Sequence, residues 1–396
     1  MGPITLVSNC ISAMAKQNKL IFYKNTLILL LISSLFLRLI LSYLFSSFPN
    51  ILFGIGSNDA RGFAIYAINL SNNFNLSAII EIYKFNLYPV ILAFFFKIFP
   101  ASYFTANLFS VFIWIHSFFI IKKLLNNFGF SKKSIFYGLF YFCLSPSILI
   151  YSSLSVRDFL IFYCFLNSFF LILIFLKTKK LLPFISAIFF LVIIYNLHHY
   201  FLILFIFFFL ILYIYFFVVT YLINLVNIHL NFISILTLLI LFSISFLDLS
   251  FFYYHINTFQ VGSLASPTIG RTNYIENINL IYSLLEFFNY LSKNFFSYIL
   301  EPTFINFDKV LYPDLIIIIE KLFKVTIMIY FLIYIVKRKK FINNDLFLIF
   351  IIVLSIDLSF SIGTFNWGTA FRHQVITFGF IPFFIAYFYD SIVHYE

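Results

Sequence analysis

Asp59 and Arg61 stand two residues apart in Ser57-Asn58-Asp59-Ala60-Arg61-Gly62-Phe63-Ala64-Ile65-Tyr66, within a chain that is only 10% charged and 63% hydrophobic. A carboxylate held at a helix start suits a general base that takes a proton from a hydroxyl. The same position suits a helix cap, because a side-chain oxygen there accepts backbone N–H groups and its charge faces the positive end of the helix. The two roles are compatible. Two further charged pairs have similar character. Arg157-Asp158 closes a serine-rich stretch that begins at Ser145-Pro146-Ser147, and Arg372-His373 closes Gly363-Thr364-Phe365-Asn366-Trp367-Gly368-Thr369-Ala370-Phe371. Arginine offers a planar fork of donors that grips phosphate through two bonds and stays charged when partly buried. Arg38, Arg61, Arg157, Arg271 and Arg372, five of the chain's six arginines, are therefore candidates for an anionic phosphate. Asp59, Asp158 and Glu276 are the competing partners, and Trp367 fits an interfacial belt.

Other chemistries lack their residues. His198-His199 is a pair without the Cys/His spacing of a zinc site, so no metal ligand is assigned, although a divalent ion is compatible with the acids. Walker, dinucleotide-fingerprint and nucleophile-elbow motifs are absent, and no cofactor is assigned. Cys10, Cys143 and Cys164 are too few and too scattered for a disulfide framework.

The elements that position these residues follow from hydropathy. A mean hydropathy of +1.04 with 63 Phe and 27 Tyr excludes an ordinary soluble domain. Continuous apolar runs exclude an alternating β-barrel and suit helices that cross about 30 Å of hydrocarbon. The expectation is an all-α polytopic membrane protein with about ten transmembrane helices, in a range of roughly nine to twelve. It forms one integral membrane domain over 1–396, with no soluble domain and no internal repeat. Expected spans are 26–45, 103–121, 135–151, 159–176, 181–197, 200–223, 231–250, 315–336, 345–362 and 374–390.

Charge orients them. The net charge of +11 reflects basic clusters at Lys16/Lys19/Lys24, Lys122/Lys123/Lys132/Lys133, Lys177/Lys179/Lys180 and Lys337-Arg338-Lys339-Lys340, which read as cytoplasmic anchors rather than nucleic-acid contacts. Both termini then lie inside, no cleaved signal is expected, and outer loops cover 46–102 and 251–314. Residues 89–99 are too short to span, since 11 helical residues rise about 16 Å. They read as a helix on or in the outer leaflet, accompanied by a second short helix at 59–70 whose Phe63, Tyr66, Ala67 and Leu70 share one face. Asp357, inside an apolar run, is a functional candidate by its cost alone, with Arg372 or Arg38 as the expected partner.

Three local features resemble the GT-C class of polyprenyl-phosphate-dependent membrane glycosyltransferases. They are Asp59 followed by Arg61-Gly62-Phe63-Ala64-Ile65-Tyr66-Ala67 with the Tyr88-Pro89 helix, the segment Pro146–Asp158, and Gly368–His373. The last is similar to the closing segment of bacterial surface-polysaccharide polymerase-like membrane proteins, and Glu301-Pro302 and Glu320 resemble the same group. The sequence departs from better-known members in lacking an Asp-Glu or Asp-x-Asp pair at Asp59 and a large C-terminal soluble domain. The resemblance implies a lipid-linked sugar donor at the outer face of a bacterial inner membrane, and a glycan, lipid or protein acceptor. Asp59 would be the base, Arg61, Arg157, Arg271, Arg372 and His373 would hold the lipid phosphate, and Asp158 and Asp357 would support them. A transporter or flippase of lipid-linked sugars, or a non-catalytic subunit of an assembly complex, is the alternative.

Overall fold

The computed structural model describes residues 3–48, 57–198, 201–202, 204–206, 209–210, 257, 284–300, 312–338, 344–364 and 367–393, and their regular structure is entirely helical. The helices are α1 (Pro3–Ser47), α2 (Ser57–Asn72), α3 (Leu76–Phe85), α4 (Leu87–Phe96), α5 (Tyr103–Asn127), α6 (Lys132–Leu144), α7 (Pro146–Tyr151), α8 (Arg157–Thr178) and α9 (Leu181–Leu197). After residues outside the description come α10 (Leu284–Leu300), α11 (Tyr312–Arg338), α12 (Asn344–Gly363), α13 (Trp367–Phe378) and α14 (Ile381–Val393). Among the described residues, Asn25–Ser47, Tyr103–Asn127 and Arg157–Thr178 are long and apolar enough to cross a membrane. The expected spans at 200–223 and 231–250 fall almost wholly outside the described residues.

Turns fix the antiparallel order. α5 ends on Gly129, whose φ of 79° admits the left-handed conformation, with Gly129 N–H bonding Asn126 O and Phe130 N–H bonding Leu125 O. That double bond satisfies carbonyls the helix end would strand. Ser131 then caps α6, and Asp390 of α14 accepts from Ser131 N (3.0 Å) and Ser134 Oγ (2.8 Å), placing an anion at the positive end of α6. α14 lies so close along α6 that a Cβ at Gly138 would meet Pro382 O at 2.7 Å.

The segment expected as the first outer loop holds three described helices rather than two. The buried stripe of α2 is Ala60, Ala64, Ala67 and Leu70, and its small side chains let α2 approach α4. Tyr66 is exposed, so the expected aromatic face is corrected to an alanine face. α4 is correspondingly enclosed. Asn86 caps it by accepting from Tyr88 N (2.8 Å), and Tyr88, Val90, Leu92, Ala93 and Phe96 are buried while Phe94 on the other face is exposed. The expected outer loop 251–314 includes α10, which packs on α12.

Two expected spans are broken. Pro146 cannot donate an N–H, would clash with a preceding carbonyl and drives Ser145 out of the helical region (ψ 125°). The segment 135–151 is therefore α6 plus the short α7. The break strands the carbonyl of Cys143 and the N–H of Ser147, which a continuous helix would join. Arg38 of α1 meets the first, its Nη1 donating to Cys143 O at 3.0 Å, with Ser34 Oγ adding a second bond at 2.8 Å. Glu320 of α11 meets the other, its Oε2 accepting from Ser147 N at 2.7 Å while Oε1 takes the hydroxyls of Ser145 and Tyr141. A cation thus faces the negative end of α6 and an anion the positive end of α7, the arrangement the helix dipole favours. Likewise 374–390 is divided at Gly379–Phe380 between α13 and α14, and a Cβ at Gly379 would clash with the edge of the Phe162 ring.

Candidate functional site

Asp59, Asp158 and Arg372 meet at one end of the bundle, brought there by α2, α8 and α13. Asp59 lies in the first turn of α2, which begins at Ser57, so it sits inside the helix rather than at its boundary. Its carboxylate pairs with Arg372 Nη1. On the other side of the same guanidinium, Arg372 Nε is 3.0 Å from Asp158 Oδ2. His373 Nε2 is 3.6 Å from Asp158 Oδ1, and its Nδ1 shares a 2.9 Å bond with Thr364 Oγ1. The acids differ sharply in environment: the Asp59 side chain is 54% exposed, that of Asp158 0%.

The loop before α8 is held by four side chains from three helices, which is why Asp158 has a fixed position. Arg38 Nε donates to Ser152 Oγ (2.7 Å) and Ser42 Oγ to Ser153 O (3.2 Å). Asn107 Oδ1 accepts from Ser155 N (2.9 Å), and the Tyr88 hydroxyl is 3.2 Å from Ser155 Oγ. From α13, Gln374 Nε2 reaches Tyr298 O of α10 at 2.7 Å, and the His373 ring stacks on Phe360 of α12 at 4.2 Å.

Arg372 and His373 precede the segment read as the last span. Burial pulls the Arg372 guanidinium down to about 10, still cationic at neutral pH. Burial, followed by the charges of Arg372, His198 and Arg157, holds His373 well below the usual imidazole range, so it is neutral. A neutral ring that accepts from Thr364 at Nδ1 would carry its proton on Nε2, toward Asp158.

The arginines expected to share one role divide into separate settings. Arg157 joins the cluster end, its Nη1 3.4 Å from Leu197 O and its Nε enclosed without a hydrogen-bond partner. Arg61 is exposed and lies over the Tyr103 ring. Its guanidinium carbon lies 5.4 Å from the Tyr103 ring centroid, beside a cavity of about 200 Å³ lined by Phe45, Ala60, Ala64, Asn107 and Leu154. Arg38 is a correction. It is fully buried, bonded to Ser34, Cys143 and Ser152, with its guanidinium carbon 3.8 Å from the Trp114 ring centroid, so it supports the broken span and holds no external anion. Arg271 and His199 lie outside the described residues.

Asp357 also departs from expectation. Its partner is neither Arg372 nor Arg38 but Lys324, whose Nζ is 3.0 and 2.9 Å from the two carboxylate oxygens and 2.8 Å from Thr377 Oγ1. Both side chains are 2–3% exposed. The sequence signal for this pair is a lysine four residues after Glu320 in the apolar run of α11, opposite an acid in the apolar run of α12. Among the described residues no group of three or more His, Cys, Asp or Glu side chains is arranged to hold a metal ion.

The fold and site define an all-helical chain, with three described helices able to cross a bilayer and a charged cluster at one end of the bundle. No family model, curated protein or solved structure matches it.

Proposed function

We propose that this chain is a membrane glycosyltransferase that uses a polyprenyl phosphate- or pyrophosphate-linked sugar at the outer face, in assembling a surface polysaccharide or glycolipid. The observation that carries the reading is the meeting of a half-exposed acid, Asp59, with Arg372 and the buried Asp158 from three separate helices. In this mechanism Asp59 takes the proton of the acceptor hydroxyl, which attacks the anomeric carbon as the bond to the lipid phosphate breaks. Arg372 and Arg157 receive the charge that develops on the departing phosphate. Arg271 and the exposed Arg61 would extend the cationic face. Membrane lipids surround about ten spans, with the lysine clusters and both termini cytoplasmic in a bacterial inner membrane. The helix order supports that path, because Ser131 and Asp390 meet at the opposite end from the Asp59 cluster.

The test is substitution of Asp59 by Asn and by Ala, with surface glycan profiled and membrane protein level measured. Loss of glycan in both at unchanged protein level is expected; normal glycan in both removes the assignment of a base.

A transporter of lipid-linked sugars is the second reading, favoured by the deep Lys324–Asp357 pair and by the interrupted helices. Proteoliposomes loaded with a labelled lipid-linked sugar separate the two: transfer of the sugar marks the enzyme, movement of intact lipid between leaflets the transporter.

A further inference from the structure

Arg372 holds two carboxylates of different kinds. Asp158 is fully enclosed at the start of α8, on a loop fixed by Arg38, Ser42, Asn107 and Tyr88. Asp59 is 54% exposed, on a helix that packs on α4 and reaches α13 through this contact. Water can therefore take over Asp59 at small cost, whereas Asp158 has no other solvation. Asp158 is the permanent partner and Asp59 the exchangeable one.

The charges make the exchange informative. Arg157 and Arg372 stand against Asp59 and Asp158, and although burial pushes the Asp158 carboxyl up to about 6, with Arg157 opposing, the cluster is close to neutral at pH 7. Withdrawal of Asp59 leaves one net positive charge. It also uncovers a guanidinium in a cluster that holds the enclosed Arg157 Nε, which has no hydrogen-bond partner, and His373 Nε2, which faces Asp158 Oδ1 at 3.6 Å, beyond hydrogen-bond length. Arginine forks with an added ring N–H suit the several oxygens of a phosphate group better than a single-point anion.

We infer that this is a phosphate-binding site masked by the protein's own Asp59, so that an incoming phosphate group and the Asp59 carboxylate exchange on Arg372. The exchange stands on the guanidinium that the two carboxylates share, and the order of events it adds rests on the reading of Asp59 as a base. While paired with Arg372, the carboxylate is occupied by the guanidinium. Seating the phosphate on Arg372 frees Asp59 to meet the acceptor hydroxyl when a donor is in place. A water or hydroxyl at the empty site meets an idle carboxylate. The ligand is a phosphate monoester or diester, carried by a lipid or free.

The experiment is isothermal titration of the purified full-length chain in detergent with dodecyl phosphate, and separately with inorganic phosphate. Asp59→Asn removes the competing charge at constant shape, and it is expected to bind dodecyl phosphate about tenfold tighter than the unaltered chain, in line with coupling measured for close charge pairs. Arg372→Met is expected to abolish binding in both backgrounds; Arg157→Met, titrated beside it with its unfolding midpoint recorded, supplies the same test if Arg372→Met does not fold. Equal or weaker binding by Asp59→Asn overturns the exchange. A gain for dodecyl phosphate alone identifies a lipid-borne phosphate, and an equal gain for inorganic phosphate identifies a free one. Tighter binding in Asp59→Asn with unchanged surface glycan upholds the exchange and removes only the base.

Discussion

Replacement of Lys324 by Met should be among the most damaging single changes in the described part of the chain. Lys324 Nζ makes three bonds of 2.8–3.0 Å, two to Asp357 and one to Thr377, in a setting where both charged side chains are 2–3% exposed. Methionine fills similar space, so little of the effect comes from packing. The effect comes from Asp357, left buried and charged with only the Thr377 hydroxyl at 3.1 Å. Breaking a buried pair from one side costs about 3–5 kcal/mol. Neutral hydrogen bonds between membrane helices average only about 0.6 kcal/mol, so the two causes are separable by size. Replacing both partners, Lys324→Met with Asp357→Leu, should recover most of the loss. Thr377 keeps its 2.9 Å bond to Gln374 O, so no polar atom is stranded. The assay is a thermal unfolding series in one detergent, interpreted as a double-mutant cycle. A Lys324→Met variant that unfolds with the wild type, or a double variant that loses the sum of the single losses, would refute the reasoning.

Glu320→Ala should destabilise by about 2–4 kcal/mol, since three donors around the α6–α7 break lose a charged acceptor, with Glu320→Gln intermediate because one amide oxygen remains; unfolding midpoints of the pair check the order. Gly379→Ala should cost about 1–3 kcal/mol through overpacking, because its Cβ would clash with the edge of the Phe162 ring, and Gly379→Ala with Phe162→Leu should recover part of that in the same assay. For pH, His373 stays neutral in the fold while the unfolded ring titrates near its ordinary value of about 6.5. The unfolded chain therefore binds the extra proton, and this contribution to stability is complete above about 6.5 and lost as pH falls below it. His373→Gln should reduce the drop in unfolding midpoint between pH 7.5 and 5, and an unchanged drop would contradict a neutral His373.

Helical class and the end of the bundle that carries the acids are legible in the sequence because each rests on a strong local signal. Apolar runs demand helix, and lysines outside those runs mark the opposite end. Asp59, Arg157, Asp158 and Arg372 stand out because charge is scarce in this chain. The features that sequence reasoning misses depend on contacts between distant segments. Arg38 resembles the other arginines, and only its position beside Trp114 and Cys143 O shows that it is internal. Lys324 follows Glu320 and Lys321 in an otherwise apolar run, and the distance of that group from the lysine clusters is the available clue. Pro146 is visible, yet hydropathy alone runs the span through it, because hydropathy does not register the loss of an N–H. The Ala60–Ala64–Ala67 stripe is hidden behind its aromatic neighbours, although small residues are what close helix packing uses.

The repair of the α6–α7 break bears on how the chain is built. The two half-helices are 13 and 6 residues long, each too short to cross a bilayer alone. Arg38 emerges from the ribosome before them and can receive the end of α6 at once. Glu320 is made 173 residues after Ser147. Throughout that interval the start of α7 has no anion to receive it, so this part of the protein cannot settle until α11 arrives. Its assembly is set by the last third of the chain, and a nascent chain stopped before α11 would leave the N–H of Ser147 without the carboxylate that receives it.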